Sequence, residues 1–184
     1  MSDGGQPETW RGKVGKMSDE DVAEFLATDT LCRLGCLDDE GWPYVVPIWF
    51  QYKDGGVYLI ARERSAWARY LTRDPRCSLA IDEAGSQRKV LIKGEAEPIE
   101  VANVGGRWVS IAEEMSLRYL GPNGPKYLGP TLSEPRTMFF VRPMKVTTWQ
   151  GVDWATRYKR SPDGEAGSSP TTGSTPVERD DVLP

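Results

Sequence analysis

Residues 42–52 read WPYVVPIWFQY, and this stretch decides the fold. A strand with one wet face alternates apolar and polar side chains, but here both faces are apolar. One face carries Trp42, Tyr44, Val46, Ile48, Phe50 and Tyr52, and the other carries Pro43, Val45, Pro47 and Trp49. We therefore expect both faces to be buried, the second by another layer of the chain, by a partner chain or by a ligand.

The segments around residues 42–52 predict a barrel. Alternation and turn residues predict strands at 31–37, 42–52, 56–62, 77–83, 90–100 and 137–150, the last either continuous or broken at Pro143. Pro47 removes a ladder donor from the middle of its strand, which favours a bulge or an edge position. Helical spacing predicts helices at 18–28, with Ser18 as its N-cap, between Ser65 and Pro75, and at 105–120, where the apolar face consists of Trp108, Ile111, Ala112, Met115 and Tyr119. The Gly/Pro-rich residues 122–135 are expected to form a loop. This order predicts a mainly β (α+β) fold, a split β-barrel of about six mostly antiparallel strands with two to three short helices.

Composition limits the organisation and the partners. The 184 residues, 39% of them hydrophobic, fit one domain. We expect a flexible N-terminus at 1–17, a barrel domain at 18–158 and a disordered acidic tail at 159–184. The formal net charge is −4, and without its acidic tail the chain is nearly neutral, which argues against a nucleic-acid surface. No signal peptide or membrane-length apolar run is present, so we expect a soluble, cytoplasmic protein without a membrane partner.

The chain contains no histidine. This excludes a Ser-His or Cys-His nucleophile, a His-ligated haem and a His general base, although Asp, Glu, Lys and Tyr remain as proton donors. Cys32, Cys36 and Cys77 do not complete a zinc shell, and we expect them to be buried thiols. An enzyme of this composition is expected to rely on a cofactor, and neither a metal site nor a catalytic residue is assigned from the sequence.

An arginine-rich segment, ARERSAWARYLTRDPR at 61–76, joins the third strand to the second helix. Arg62 and Arg64 lie where the strand ends, and Ser65 stands at the predicted N-cap of the helix. Free amides at a helix N-terminus and two guanidinium groups together outline a phosphate site. A solvated helix face is the alternative, and it is the interpretation that we favour for Arg69, Arg73 and Arg76.

The order and spacing of several motifs resembles the pyridoxamine 5′-phosphate oxidase-like flavin-binding split-barrel family over residues 18–150. The motifs are the DGG turn at 54–56, the apolar strand with Pro47 and Trp49, L-x-R-D-P-R at 71–76 and G-E-A at 94–96. The resemblance implies a homodimeric barrel that binds FMN, or the deazaflavin coenzyme F420, in a cleft between the subunits. The partner subunit and the cofactor ring would then cover the second face of residues 42–52.

The resemblance also implies a set of cofactor contacts. The residues matching the ring and phosphate contacts of the family are Val46, Pro47, Trp49, Ile60, Ala61, Arg62, Ser65 and Trp67, and the arginine-rich segment adds Arg64. Many family members have a Lys at the position of Trp67, where it reaches the phosphate. Its loss favours a branch that binds the phosphate through Arg62 and Arg64, and it points toward the deazaflavin coenzyme. True pyridoxamine phosphate oxidation is not expected, because the substrate-site histidine and arginine features of that enzyme have no counterpart.

These observations predict a flavin- or deazaflavin-dependent oxidoreductase that transfers a hydride to or from a small organic substrate. The cofactor would lie at the interface of a homodimer. Two alternatives stay open: a non-catalytic flavin-binding protein of the same fold, and a cofactor-free dimer with a degenerate site.

Overall fold

The structure is a computed structural model that describes residues 11–153 and residue 158. The predictions for residues 1–10 and for the acidic tail at 159–184 lie outside the described residues. The helices are α1 (Asp19–Leu26), α2 (Ala66–Arg73), α3 (Trp108–Leu120) and α4 (Gly124–Leu128). The strands are β1 (Cys32–Leu37), β2 (Pro43–Ile48), β3 (Gln51–Lys53), β4 (Gly56–Arg62), β5 (Arg76–Asp82), β6 (Lys89–Asn103) and β7 (Arg136–Trp149).

The seven strands form one antiparallel sheet in the order β2-β1-β5-β6-β7-β4-β3. The two edge strands, β2 and β3, are consecutive in the sequence and are separated only by Trp49 and Phe50. The chain passes directly from one edge of the sheet to the other, so the sheet must curl until its edges lie close together. The mainly β, α+β split barrel predicted from the sequence is therefore confirmed.

The stretch 42–52 forms two strands, so its prediction as one strand is wrong. β2 ends at Ile48 and β3 begins at Gln51, which raises the strand count to seven. The bend at Trp49 and Phe50 places Phe50 in the main core and Trp49 against α3. Pro47 lies on an edge strand as predicted, because β2 pairs only with β1.

The main core fills the barrel and is closed by α1 and α2. The largest fully buried side chains in this core include Phe25, Phe50, Phe139, Leu34, Leu59 and Leu79. α1 begins with the predicted cap: the Ser18 hydroxyl accepts from the Asp21 amide, and the Asp21 carboxylate accepts from the Ser18 amide. Residues 11–17, placed by the sequence in the flexible N-terminus, contact the barrel, since Gly15 pairs with Gln150 and Met17 is buried.

The predicted loop at 122–135 is largely helical, which corrects the prediction. A 3-10 turn at Gly121–Asn123, helix α4 and a 3-10 turn at Gly129–Thr131 follow one another, and each has Pro in its first turn. Pro is tolerated there because the amide that it lacks has no helical acceptor. The three Gly-Pro pairs therefore begin short helical turns at the places where the sequence pattern predicted breaks.

Helices α3 and α4 form a second apolar cluster outside the barrel, against β4 and β7. Its buried members are Trp108, Ile111, Ala112, Met115, Leu128 and Met138. This layer covers Trp49, so part of the second face of residues 42–52 is buried by the chain itself. Val45 on the same face stays 64% exposed.

The last strand is continuous, which decides between the two alternatives for residues 137–150. β7 pairs with β6 along most of its length, and the register shifts between Lys93 and Gly94, opposite Pro143.

None of the helices in the described part of the chain combines the length and the apolar character needed to cross a bilayer.

Candidate functional site

A cavity of about 440 Å³ lies between β2, β4, the start of α2 and the α3–α4 layer. This volume is within the range of small-molecule sites, about 300–1,000 Å³. The apolar and aromatic wall consists of Leu31, Pro47, Ile48, Trp49, Ile60, Trp67, Trp108, Ala112, Met115, Tyr127 and Leu128. The polar wall consists of Arg62, Ser65, Thr131 and Arg136, and among the described residues no carboxylate lines the cavity. The arrangement suits a flat apolar molecule that carries negative charge.

The cavity brings together six of the residues predicted for the site. They are Pro47, Trp49, Ile60, Arg62, Ser65 and Trp67. They come from β2, β4, α2 and the segments that adjoin them, so the fold joins positions that are separate in the sequence.

Three predicted residues lie elsewhere. Val46 packs against the main core and Ala61 is fully buried inside it. Successive side chains of a strand point to opposite faces, so Ile60 and Arg62 reach the cavity while Ala61 between them reaches the core. Arg64 is exposed in the turn before α2 and does not line the cavity.

Two arginines stand side by side at the polar wall. Arg62 and Arg136 are paired positions on the antiparallel strands β4 and β7, so their side chains leave the same face of the sheet. Arg136 is only 8% exposed. Burial and the neighbouring Arg62 charge both lower the pKa of Arg136, although an arginine stays protonated at any physiological pH.

The start of α2 lies beside this pair. Ser65 occupies the N-cap position with extended backbone, as predicted, but its side chain makes no capping hydrogen bond. The first amides of a helix have no helical acceptor, and since the Ala68 amide already donates to the Ser65 carbonyl, the amides of Ala66 and Trp67 are the ones that can meet an anion. The Ser65 hydroxyl also lines the cavity and can donate to the same anion.

An aromatic stack forms another wall. The Trp49 and Tyr119 rings are stacked, with centroids 4.8 Å apart and planes 8° apart, and Tyr127 lies tilted at 5.4 Å from Trp49. The Tyr119 hydroxyl donates to the carbonyl of Thr30, which fixes the stack to the chain before β1. Because Tyr119 covers one face of the Trp49 ring, Trp49 can offer a ligand only its edge or its remaining face.

Glu100 holds helix α3 against the cavity. Its carboxylate accepts from the backbone amides of Arg107 and Trp108, at 2.9 Å and 3.0 Å. The Trp108 indole N–H donates to the carbonyl of Asn103 at 3.1 Å, so the residue is held at its backbone and at its ring. Glu100 therefore supplies the anionic cap that α3 lacks at its own N-terminus, and it fixes the start of the helix that carries Trp108 behind the cavity wall.

The sequence model of the family described as pyridoxamine 5′-phosphate oxidase matches residues 18–150. The chain belongs to the pyridoxamine 5′-phosphate oxidase family. The match covers the whole barrel and the α3–α4 layer, and it confirms the resemblance found in the sequence motifs. Among curated proteins, none matches the sequence.

Solved structures share the fold of this family member at low identity. A structure described as an F420 reductase is 19% identical with a TM-score of 0.56, covering 67% of this chain and 93% of that chain. A protein from Mesorhizobium loti described as FAD-binding is 19% identical with a TM-score of 0.54, covering 77% and 98%. HutZ, described as a haem storage protein of Vibrio cholerae, is 16% identical with a TM-score of 0.56, covering 71% and 93%. These similarities show the fold alone, since the three neighbours are described with different cofactors.

Several cavity residues of this family member were not predicted from the sequence. Trp108 and Met115 were recognised as the apolar face of a helix, but nothing indicated that this face closes a cavity. Tyr127 and Leu128 lie on α4, where the Gly-Pro pairs indicated a loop. Arg136 precedes the strand predicted at 137–150 but is the first residue of β7, and the pairing of β4 with β7 brings it to Arg62.

Proposed function

We propose that the protein is a flavin- or deazaflavin-dependent oxidoreductase that transfers a hydride to or from a small organic substrate. The observation that carries the proposal is the cavity itself, an aromatic pocket with two guanidinium groups at one wall and, among residues 11–153, no carboxylate in its lining. A planar ring with a phosphate has the matching shape and charge. FMN and coenzyme F420 share this combination, and both remain candidates.

The residues have separate tasks in this proposal. A bound cofactor supplies the redox chemistry. Pro47, Ile60 and Trp49 offer apolar contacts to a ring, the fully buried Trp108 lies behind this wall, and the α3–α4 layer excludes water from the ring. Arg62 and Ser65 bind the phosphate together with the free amides of α2. Trp67 offers only its indole N–H and ring surface, so the family's lysine has no replacement on α2.

A haem-binding function has less support. One structural neighbour is described as a haem storage protein, but this chain contains no histidine, the usual proximal ligand of haem. The two guanidinium groups of the cavity match the phosphate of a flavin-type cofactor without a further ligand.

We also propose that the protein is a homodimer. Val45 and Trp42 are exposed at the outer surface of β2 and its turn, beside the exposed Pro43. A large exposed apolar surface on a soluble protein is typical of an interaction site. A second subunit on this surface would bury the part of residues 42–52 that α3 leaves open.

The proposal is tested by equilibrium titration of the purified protein with FMN and, separately, with coenzyme F420. Three tryptophans line the cavity, so their fluorescence reports the binding of an absorbing ring. We expect micromolar or tighter binding of at least one cofactor. Binding of neither would contradict the proposal, and binding without turnover of any small electron acceptor would favour the non-catalytic alternative.

Two neighbouring arginines provide matched variants for this titration. Arg62→Ala is expected to weaken binding about 10- to 100-fold, which is the usual value of a charge-assisted hydrogen bond. Arg64→Ala removes the same charge two residues later but outside the cavity, and we expect little change. Equal losses in both variants would indicate a long-range charge effect in place of a direct contact.

A further inference from the structure

We propose that Arg136 is an anion-binding residue, and that Arg136 and Arg62 together form a two-guanidinium site for a phosphate monoester. The inference rests on the proposed function only for the identity of the part of the ligand that lies beyond its phosphate. The site would take the phosphate end, and the aromatic wall would take the remainder.

The first observation is the burial of an unpaired charge. Arg136 is 8% exposed and therefore 92% buried. Within the described part of the chain, its guanidinium forms no ion pair or hydrogen bond. Its side-chain contact is with the Trp108 ring, whose centre lies 5.9 Å from the guanidinium carbon. More exposed arginines of the same protein are paired with carboxylates, as in Arg33–Asp82, Arg73–Asp39, Arg76–Asp74 and Arg88–Glu83.

The second observation is the position of a like charge beside it. Arg62 is the register partner of Arg136, so two cations share one face of adjacent strands. Like charges placed directly opposite each other in a sheet destabilise it. Burial lowers the pKa of Arg136 most and the neighbouring Arg62 charge lowers it further, as expected for two cations that repel each other, although Tyr127 and Glu134 partly offset the shift. A dianion between them would remove this repulsion.

The third observation is the chemistry of the surrounding wall. Arg136, Arg62 and the Ser65 side chain all line the same cavity, and α2 begins directly after Ser65. Guanidinium groups bind phosphate oxygens through paired parallel hydrogen bonds, and helix amides and a hydroxyl satisfy the remaining oxygens. Arg136 on β7 therefore provides the second positive charge that α2 does not carry at Trp67.

The experiment measures the binding of inorganic phosphate by calorimetry to the wild type, Arg136→Met and Arg142→Met. Arg142 lies on the same strand but is exposed, and it is paired with Glu97, so Arg142→Met is the matched control. We expect phosphate binding to weaken about 10- to 100-fold in Arg136→Met and to stay unchanged in Arg142→Met. Unchanged phosphate affinity in Arg136→Met would overturn the inference.

Thermal stability is a second readout, because a binding role and a structural role of Arg136 predict opposite changes in melting temperature. Met fills a similar volume without a buried charge, so Arg136→Met is expected to melt at the same or a higher temperature without phosphate. A lower melting temperature would show that Arg136 supports the fold and would overturn its assignment as a binding residue. Arg136→Lys keeps the charge without the fork, and we expect it to fold and to bind phosphate with intermediate affinity.

Titrations with FMN and coenzyme F420 separate this inference from the proposed function. If neither cofactor binds but phosphate binding still depends on Arg136, the proposed function fails and the anion site stands. If FMN binds Arg136→Met as tightly as the wild type, the anion site fails and the proposed function stands.

Discussion

Trp67 lies between the cavity and the main core. It is 7% exposed, and its ring centroid is 5.9 Å from that of Phe139. The residue lines the cavity and also packs within the barrel, so it belongs to the wall of the site and to the core at once. A cation at this position would be buried, and it would also face Arg62 and Arg136.

Trp67→Lys is therefore expected to destabilise the protein by several kcal/mol, because it loses ring packing and buries a charge. Thr72→Lys adds the same charge to the exposed face of the same helix and is expected to change stability by less than about 1 kcal/mol. Denaturant unfolding of both variants measures the difference. A Trp67→Lys protein as stable as the wild type would show that this side chain is not part of the core.

The three cysteines are buried and free, as the sequence predicted. Burial raises the pKa of Cys32 and of Cys77 to about 12, and it also raises the pKa of Cys36. The thiolate is the reactive form, so at pH 8 these thiols are protonated as well as inaccessible. We expect a disulfide reagent to label the native protein slowly and the denatured protein at once. Rapid labelling of native protein would contradict the burial.

For single residues, the sequence predicts which residue types belong to the site better than it predicts the direction in which each side chain points. Arg62 and Ser65 line the cavity at a strand end and a helix start, which are local features that the sequence indicates, and their contact with a cofactor stays a prediction. Val46 and Ala61 were assigned to the site with their neighbours, but strand alternation turns them into the core. Arg136 could not be found, because its role depends on burial and on its pairing with Arg62 across two strands.

Helix α4 fits against α3 at a glycine. A Cβ atom on Gly124 would lie 2.6 Å from the backbone of Ser116, which is shorter than any ordinary contact. α4 carries Tyr127 and Leu128 at the cavity, so the close approach of the two helices sets one wall of the site.

Gly124→Ala is expected to destabilise the protein by about 1–3 kcal/mol, because the added methyl group pushes α4 away from α3. Gly129→Ala is the matched control: it also precedes a proline, its backbone is helical, and nothing lies within 4 Å of the added atom. Both variants place a Cβ on a helical residue before proline, which strains both equally, so we expect Gly129→Ala to cost less than Gly124→Ala by the value of the clash with α3. Melting temperatures of the two variants test the contrast, and equal values would refute the close packing.

Helices and strands were predictable where one period of apolar residues continues without a bend in the chain. The starts of α1 and α2 followed from Ser18 and Ser65, and the two long strands from their alternation. The break at Trp49 and Phe50 was missed, because residues on both sides are apolar and no turn residue marks it. The Gly-Pro pairs were misread, because the same dipeptide ends one helix and begins another.

For the whole molecule, the open question is what covers the exposed part of β2. The α3–α4 layer buries Trp49, while Val45 remains exposed. The sequence predicted α3 as a helix but the region of α4 as a loop. The covering layer that the two helices form therefore could not be derived from the pattern. The homodimer stays a prediction, and it can be tested on this surface.

Val45→Lys is expected to shift the protein from dimer to monomer at micromolar concentration, because it places a charge in the proposed interface. Val101→Lys is the control, since Val101 is 75% exposed near the far end of β6. Analytical ultracentrifugation measures both variants and the wild type. A soluble wild-type monomer at the same concentration would contradict the proposed dimer.

The most direct test of the central claim is a crystal structure of the protein with whichever cofactor binds in titration. We predict a ring against Pro47, Trp49 and Ile60, with its phosphate between Arg62 and Arg136. A cofactor bound at another surface, with this cavity left to solvent, would contradict the account.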